Sequence, residues 1–231
     1  MNAGRFTFNF ATFAQQNNFM QKTALLIGAT GLVGGHLLRQ LLESPHYDRV
    51  VALSRRPLEM QHPKLVQQII DFDRPDPAVI QGNDLFCALG TTLKKAGSKE
   101  AQYKIDCQYP YDIGKIARSN GAGQYLLVSS VGADAQSSGF YLKTKGELEE
   151  KIRALEFDHF VSARPSFLFG DRSEFRLGEK IGIALAKALA PVIPRRYRGI
   201  EAEKVARALV RLANNGEKGV QMVESEDLQQ Y

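Results

Sequence analysis

Two tyrosine–lysine pairs have the spacing and the chemistry to move a proton. They are Tyr111/Lys115 and Tyr141/Lys145, each with the lysine four residues after the tyrosine. One helical turn brings the ammonium beside the phenol, and its positive charge favours phenolate, lowering a phenol pKa that starts near about 10. Such a tyrosine can exchange a proton with a carbonyl or alcohol oxygen while hydride moves to or from a nicotinamide.

The sequence around the pairs favours the second one. Tyr141 follows a predicted strand that ends in Ser129 and Ser130, whose hydroxyls could hold the reacting oxygen. Tyr141 and Lys145 also share a helical face with apolar residues, so the pair points toward the core. We therefore predict that this pair forms the site. The alternative is that Tyr141 is a packing ring and that Lys145 extends to water.

The first pair lacks that setting. Tyr111 follows Pro110, and no serine-bearing strand end precedes it. We interpret Tyr111/Lys115 as a surface coincidence.

A glycine-rich turn at residues 28–35, GATGLVGG, suits a dinucleotide. Gly28, Gly31 and Gly34 allow a tight turn, close approach of the backbone to a pyrophosphate and close packing of helix on strand. The turn follows a predicted strand and opens a predicted helix, whose N-terminal amides would face the phosphates. A turn that serves packing alone is the alternative.

The end of the second predicted strand distinguishes the two nicotinamide cofactors. An acid near this point holds the ribose hydroxyls of NAD, but here the chain reads Ser54-Arg55-Arg56. Guanidinium groups suit phosphate, so we predict that Arg55 and Arg56 bind the 2′-phosphate of NADP(H). A solvated Arg-Arg loop is the alternative.

These residues need elements that bring them together, and the hydrophobic pattern predicts such elements. Short apolar runs alternate with stretches of helical periodicity, which predicts right-handed crossovers and an α/β fold with a doubly wound parallel sheet. The predicted strands are 23–27, 50–53, 65–70, 84–89, 125–129 and 159–163, and the predicted helices are 33–42, 101–119, 140–155, 181–189 and 202–212.

Composition excludes several classes of protein. The chain has 231 residues, of which 44% are hydrophobic and 24% charged, so neither a disordered nor a fibrous protein is indicated. The sequence contains no run of 18 or more apolar residues, so no membrane span is predicted. Cys87, Cys107 and the four histidines match no metal-ligand spacing, so no metal is expected. Two cysteines fit a reducing compartment, and we expect a cytoplasmic location. The arginines at 195, 196 and 198 suggest a solvated loop more than nucleic-acid binding.

The first twenty residues differ from the rest. They hold five phenylalanines among Asn and Gln, with Arg5 as their one charged side chain. They lack the continuous apolar core of a secretory signal, and one arginine is weak support for a transit peptide. We interpret 1–20 as a mobile appendage or upstream sequence before a functional start at Met20, and 21–231 as one NAD(P)-binding domain. Within it, 165–231 would form a small substrate-side region.

The motifs together resemble the atypical short-chain dehydrogenases/reductases, and within them the Tat-interacting oxidoreductase-like group. The resemblance covers nearly the whole chain after residue 20. It is carried by the glycine turn, Ser54-Arg-Arg56, Phe86-Cys-Ala-Leu-Gly-Thr-Thr92, Leu127-Val-Ser-Ser-Val-Gly-Ala-Asp134, Tyr141-Leu-Lys-Thr-Lys-Gly-Glu147, and Arg164-Pro165 followed by Asp171-Arg172. The segment 86–92 is more specific than the glycine turn. One departure is Gly90-Thr-Thr where the family usually has Asn-Ala-Gly.

The resemblance implies a Rossmann fold that binds NADPH, and it implies a role for each site residue. Ser129, twelve residues before Tyr141, matches the family's catalytic serine better than Ser130 does. The implied catalytic set is Ser129, Tyr141 and Lys145, and the implied cofactor-binding residues are Gly28, Thr30, Gly31, Leu32, Val33, Gly34, Arg55, Arg56, Leu89, Gly90, Tyr141, Lys145, Leu168 and Arg176.

Three functions remain open on the sequence. The first is an NADPH-dependent oxidoreductase acting on a small carbonyl compound, with Tyr141 as the acid/base. The second is a redox-sensing or regulatory protein that binds NADPH with little turnover. The third is a sugar-nucleotide epimerase or reductase, which the 66 residues after Pro165 argue against because an extended lid needs more chain. The substrate and the oligomeric state, monomer or dimer, stay undetermined.

Removal of residues 1–20 tests the predicted boundary. These residues precede the first predicted strand and show no periodic core pattern, so a chain starting at Met20 should melt at a similar temperature and bind NADPH normally. Thermal unfolding and a cofactor titration of both chains check this. A large drop in melting temperature would mean that the phenylalanines pack on the domain.

Overall fold

The computed structural model describes residues 22–170 and 194–231. The N-terminal twenty residues, the helix predicted at 181–189 and Arg176 lie outside these ranges.

A parallel sheet organises the described chain, and it confirms the predicted doubly wound α/β class. Its seven strands, counted over the described residues, follow the order β3-β2-β1-β4-β5-β6-β9, and every neighbouring pair is parallel. The first six have the order of the Rossmann fold, in which the chain reverses direction across the sheet between β1 and β4. The strands are β1 Lys22–Ile27, β2 Tyr47–Ser54, β3 Leu65–Ile69, β4 Asp84–Cys87, β5 Gln124–Val128, β6 His159–Arg164 and β9 Gly219–Glu224.

Helices cover both faces of the sheet. They are α1 Leu32–Glu43, α2 Leu93–Ala96, α3 Lys99–Tyr103, α4 Tyr109–Ser119, α5 Phe140–Arg153, α6 Ala202–Leu212 and α7 Ser225–Leu228, with a π-helical turn at Lys104–Gln108. A short separate ladder pairs β7 Leu168–Phe169 with β8 Ile200–Glu201. Among the described residues no helix is long and apolar enough to span a membrane.

The strands are apolar on both sides, because each face of the sheet carries a helical layer. In β1, Ala24 and Leu26 point into a core with α1 and α6. Leu25 and Ile27 point into the opposite core with α4 and α5. All four are fully buried, so a shift of one residue in register would exchange the two faces.

Two features of the fold differ from the expectation. The helix predicted at 101–119 is interrupted, because the π turn at 104–108 separates α3 from α4. The strand β9 was not predicted, since its sequence GVQMVE is part polar and its side chains are exposed or half-buried at the sheet edge. Within the predicted substrate-side region 165–231, the described strand β9 and helix α6 belong to the main layers of the domain.

The parallel arrangement places the carboxyl ends of the strands at one edge. Gly28 follows β1, Arg55 follows β2, Leu89 lies just after β4 and Ser129 follows β5. A ligand of such a sheet binds at this edge, where the strand order reverses.

Candidate functional site

The glycine turn fits tightly between α1 and the end of β4. Gly28 has a φ of 85°, and a Cβ there would lie 2.4 Å from the backbone carbon of Ala88. A Cβ on Gly34 would lie 1.9 Å from the Gly28 carbonyl oxygen. That same oxygen accepts a hydrogen bond from the Gly31 N–H at 2.9 Å. Side chains at 28 and 34 are therefore excluded by backbone, and the turn brings the start of α1 to the carboxyl edge.

The start of α1 is chemically suited to phosphate. Gly31 is its N-cap and supplies no side-chain acceptor to the first-turn amides. Such amides, together with the helix dipole, favour an anion. Thr30 and Gly31 are exposed and Leu32 is half-buried, whereas Val33 is buried in the core. The predicted contact of Val33 with a pyrophosphate can therefore involve only its backbone.

The two arginines predicted to bind a phosphate lie at the carboxyl end of β2. Arg55 and Arg56 are exposed, and neither is in an ion pair with another described residue. The Ser54 hydroxyl donates to the Arg56 carbonyl at 2.7 Å and holds the turn. Two guanidinium groups outside the ion pairs of the described residues thus follow the strand next to the one that leads into the glycine turn, at the same edge.

Ser129 offers a hydroxyl that the described protein leaves unused. It is buried, and its Oγ has no hydrogen-bond partner among the described residues. Its backbone is fixed, because its N–H donates to the Ala163 carbonyl at 2.7 Å. The neighbouring Ser130 hydroxyl donates to the Val131 carbonyl at 3.4 Å. Buried hydroxyls are normally satisfied, so Ser129 Oγ is the group free to bind a ligand oxygen.

Tyr141 and Lys145 lie one turn apart at the beginning of α5. The tyrosine is 41% exposed, whereas the lysine is only 3% exposed. Burial alone would lower the pKa of Lys145, but the negative charges that Tyr141 and Asp106 can carry outweigh it and raise that pKa. Lys145 is therefore held as an ammonium, close enough to the phenol of Tyr141 for their charges to interact.

The loop after β5 fixes α5 relative to Ser129. The Asp134 N–H donates to the Leu142 carbonyl at 3.2 Å, next to Tyr141. Gly146, next to Lys145, packs so closely that a Cβ there would lie 2.2 Å from the backbone nitrogen of Ala135. The two residues that contact α5, Asp134 and Ala135, thus lie five and six positions after Ser129 and fix the first turns of α5 by backbone contacts.

A buried ion-pair network secures the next turn of α5. Glu149 accepts from Arg164 at the end of β6, with Nη2–Oε2 2.5 Å and Nε–Oε1 3.0 Å, and from the Ser162 hydroxyl at 2.6 Å. Arg164 also reaches Glu224 of β9 at 3.2 Å. These hydrogen bonds, chiefly those with Glu149, raise the pKa of Arg164. Loss of one partner would leave a buried charge unpaired, which costs about 3–5 kcal/mol in comparable networks.

The remaining predicted site residues fall into three groups. Leu89 is half-buried and Gly90 exposed after β4, and Leu168 is half-buried in β7. Tyr111 is half-buried under the Lys151 ammonium, 5.6 Å from its ring centroid, while Lys115 is exposed. Arg176 lies outside the described residues.

Asp106 is a residue of this edge that sequence reasoning missed. It is fully buried in the π turn. Its Oδ1 accepts from the Thr91 N–H at 2.7 Å, and its Oδ2 accepts from Gln102 Nε2 at 3.3 Å. Burial raises the pKa of its carboxyl, against the opposing charge of Lys145. The spacing of the sequence could have indicated this burial. Asp106 falls at helical spacing from Pro110, Ile113 and Ala117, which form the apolar side of the helix.

These donors fit a nicotinamide dinucleotide. Helix amides, two arginines, a buried ammonium and an unpartnered hydroxyl lie along one edge, and each matches a phosphate, a ribose hydroxyl or a carbonyl oxygen. Within residues 22–170 and 194–231, no group of three His, Cys, Asp or Glu side chains could hold a metal ion.

Comparison with known proteins identifies a family for this arrangement. Residues 28–216 match the model of a family described as NAD(P)H-binding. The protein FMP52 of Saccharomyces cerevisiae, named mitochondrial, is 34% identical over 216 residues, which cover 88% of this chain and 94% of that protein. The protein HTATIP2 of Rattus norvegicus is 37% identical over 174 residues, covering 72% of this chain and 69% of that protein.

Solved structures support the fold alone, because their sequences are distant. A structure of MoeE5 in complex with UDP-glucose and NAD matches with a TM-score of 0.67 at 16% identity, over 89% of this chain and 79% of that one. Uronate dehydrogenase from Agrobacterium tumefaciens matches with a TM-score of 0.64 at 15% identity, over 88% and 76%. Both belong to the set of Rossmann enzymes that the sheet order predicts.

The expected cytoplasmic location is wrong. Four fungal relatives, from Candida glabrata, Saccharomyces cerevisiae, Debaryomyces hansenii and Emericella nidulans, are named mitochondrial proteins. The expectation rested on two cysteines, and both are unpaired and buried here. Free thiols indicate a reducing environment and do not distinguish one reducing compartment from another.

Gly146→Ala tests the packing that holds the tyrosine–lysine turn. The added methyl meets the backbone of Asp134 and Ala135, so α5 must move, and overpacking of this kind costs about 1–3 kcal/mol of unfolding free energy. Gly35→Ala is the matched control, because its methyl would stand 3.8 Å from the nearest atom, in ordinary contact. There the helix preference of alanine should stabilise the protein by up to about 1 kcal/mol. Urea unfolding of both variants checks this, and equal stability would contradict the close packing.

Proposed function

Because the chain belongs to the NAD(P)H-binding family, we propose that it is an NADPH-dependent oxidoreductase that reduces a small carbonyl compound. The observation that carries the proposal is a buried ammonium, Lys145, beside a tyrosine that is open to solvent, together with a buried hydroxyl after β5, that of Ser129, with no partner in the described protein. A protein that only bound the cofactor would have no need of this last group.

The chain's own residues account for the proton chemistry. Tyr141 donates its phenolic proton to the substrate oxygen during reduction, and it recovers a proton from solvent because the side chain is 41% exposed. Lys145 stabilises the resulting phenolate by its charge. Ser129 donates a hydrogen bond to the same oxygen and fixes its position. NADPH, when bound, supplies the hydride.

The binding residues divide between the two ends of the cofactor. The start of α1 and the glycine turn take the pyrophosphate, and Arg55 and Arg56 take the 2′-phosphate at the adenosine end. Lys145 takes the nicotinamide ribose. The preference for NADPH over NADH is supported by the two exposed arginines and by the lack of an acid at residues 54–56.

A small substrate fits the described chain better than a sugar nucleotide. Residues 202–212 and 219–224, which lie within the nominal substrate-side region 165–231, are committed to α6 and to β9 of the main sheet. The described remainder of that region consists of short elements: the two-residue ladder of β7 and β8, a 3-10 turn at Arg195–Tyr197 and α7.

Tyr141→Phe tests the acid/base directly, because it keeps the ring and removes the ionisable oxygen. Reductase activity, found by screening carbonyl compounds for loss of NADPH absorbance, should fall roughly 10²-fold or more, the scale of lost proton-transfer catalysis. NADPH affinity and melting temperature should change little. Lys145→Ala should reduce both turnover and NADPH affinity, since it also holds the ribose.

Tyr111→Phe is the matched control, because it removes the hydroxyl of the other tyrosine–lysine pair. It should leave turnover and affinity unchanged. If Tyr141→Phe had no effect, the redox-sensing function with little turnover would be favoured instead. If Tyr111→Phe reduced turnover or affinity, the chemistry would belong to the Tyr111/Lys115 pair and the present assignment would be wrong.

The cofactor preference has its own test. We expect NADPH to bind at least tenfold more tightly than NADH, about 1.4 kcal/mol, and replacement of Arg55 and Arg56 by alanine to remove most of that ratio. The control replaces two other exposed arginines, Arg49 and Arg153, which changes the net charge equally. Calorimetric titration with both cofactors gives the ratio. Equal affinity of the unaltered protein for NADPH and NADH would refute the assignment.

A further inference from the structure

Lys145 is a buried charge whose compensation comes from a different element of the fold. Its Nζ and Asp106 Oδ1 each lie 3.8 Å from the point where a Cβ of Gly90 would stand, so the two atoms are at most twice that distance apart. They are not among the direct ion pairs of the described residues. Gly90 is exposed at the carboxyl edge, and both charged groups lie close to it.

The hydrogen bonds of Asp106 fit an ionised carboxylate. One oxygen accepts from the Thr91 N–H and the other from the Gln102 amide. In a protonated acid, one of the two oxygens would carry an O–H group and would face an N–H donor with a donor of its own. The same bond to Thr91 ties the turn after β4, with Gly90, to the π turn.

Several other groups face Lys145. Tyr141 is on its own helix, Cys107 is in the π turn and Cys87 is at the end of β4. The surroundings of Cys107 add Tyr103, Glu147 and Lys151. Phenols and buried thiols are neutral near pH 7, and burial raises the pKa of both thiols here. Of the groups whose charge acts on Lys145, Asp106 is the carboxylate.

We propose that Asp106 is a positioning residue of the site, whose buried carboxylate keeps Lys145 charged and holds the Gly90–Thr91 turn against it. This inference rests on the proposed function, in which Lys145 binds the nicotinamide ribose and stabilises the Tyr141 phenolate. Asp106 acts through Lys145 and through the turn. It does not contact the reacting atoms.

Asp106→Asn separates the charge from the hydrogen bond. The amide oxygen can still accept from Thr91, whereas the negative charge is lost. A unit charge within this distance shifts the pKa of a buried lysine by about one to two units. We expect the titration of Lys145, followed in uniformly 13C-labelled protein without cofactor and assigned by comparison with Lys145→Met, to move down by that amount. Asp112→Asn, which removes a half-buried carboxylate from the adjoining helix α4, should leave it unchanged.

A measurement on the unaltered protein tests the proposal even if the variant fails to fold. At about pH 10, Lys145 should still show the ammonium chemical shift, although burial by itself favours the amine. An amine signal at that pH would overturn the proposal without any substitution.

Cofactor binding supplies the second readout. Asp106→Ala also leaves the Thr91 N–H without its acceptor, and we expect it to weaken NADPH binding about tenfold at pH 7.5, more than Asp106→Asn does. If the unaltered protein binds NADPH and Asp106→Asn leaves the Lys145 titration in place, the inference is wrong and the proposed function stands. If the unaltered protein binds no NADPH, the proposed function fails, while the titration still decides whether Asp106 holds Lys145 charged.

Discussion

The buried ammonium of Lys145 is the constraint on which the site depends. An unpaired charge inside a protein is costly, and a lysine in that position would otherwise lose its proton. The π turn opposes this by supplying the Asp106 carboxylate from across Gly90, while α5 carries Tyr141 on the same face as the lysine. The charge is thus retained at a place where a phenolate or a ribose can use it.

The surrounding packing keeps that charge in register with the rest of the edge. Gly146 lets α5 approach the loop after β5, and Glu149 ties the following turn to Arg164 of β6. On the other side of the reversal in strand order, Gly28 and Gly34 bring α1 against the end of β4. Both halves depend on backbone contacts too close for any side chain. The relative placement of the proposed phosphate-binding and proton-transferring parts is therefore determined by packing before a ligand binds.

The sequence predicted the parts that periodicity and local motifs encode. Apolar runs identified β1 to β6, and turn residues placed Gly28, Arg55, Ser129 and Tyr141 at strand ends or helix starts, which a parallel sheet brings to one edge. It did not predict β9, because an edge strand with one neighbour needs no continuous apolar run. Asp106 was also missed. A carboxylate in a helical stretch is commonly a solvated residue, and its burial depends on a π turn that the spacing does not reveal. The cytoplasmic expectation failed for a different reason, since cysteine content indicates redox conditions and does not identify a compartment.

The most direct test of this account is a crystal structure of the protein with NADP⁺ bound. The account predicts the pyrophosphate over the Gly28–Gly34 turn, the 2′-phosphate against Arg55 and Arg56, and the nicotinamide ribose on Lys145 with the ring facing Tyr141 and Ser129. A nucleotide bound in the opposite direction, or one whose nicotinamide lies away from Tyr141, would contradict it.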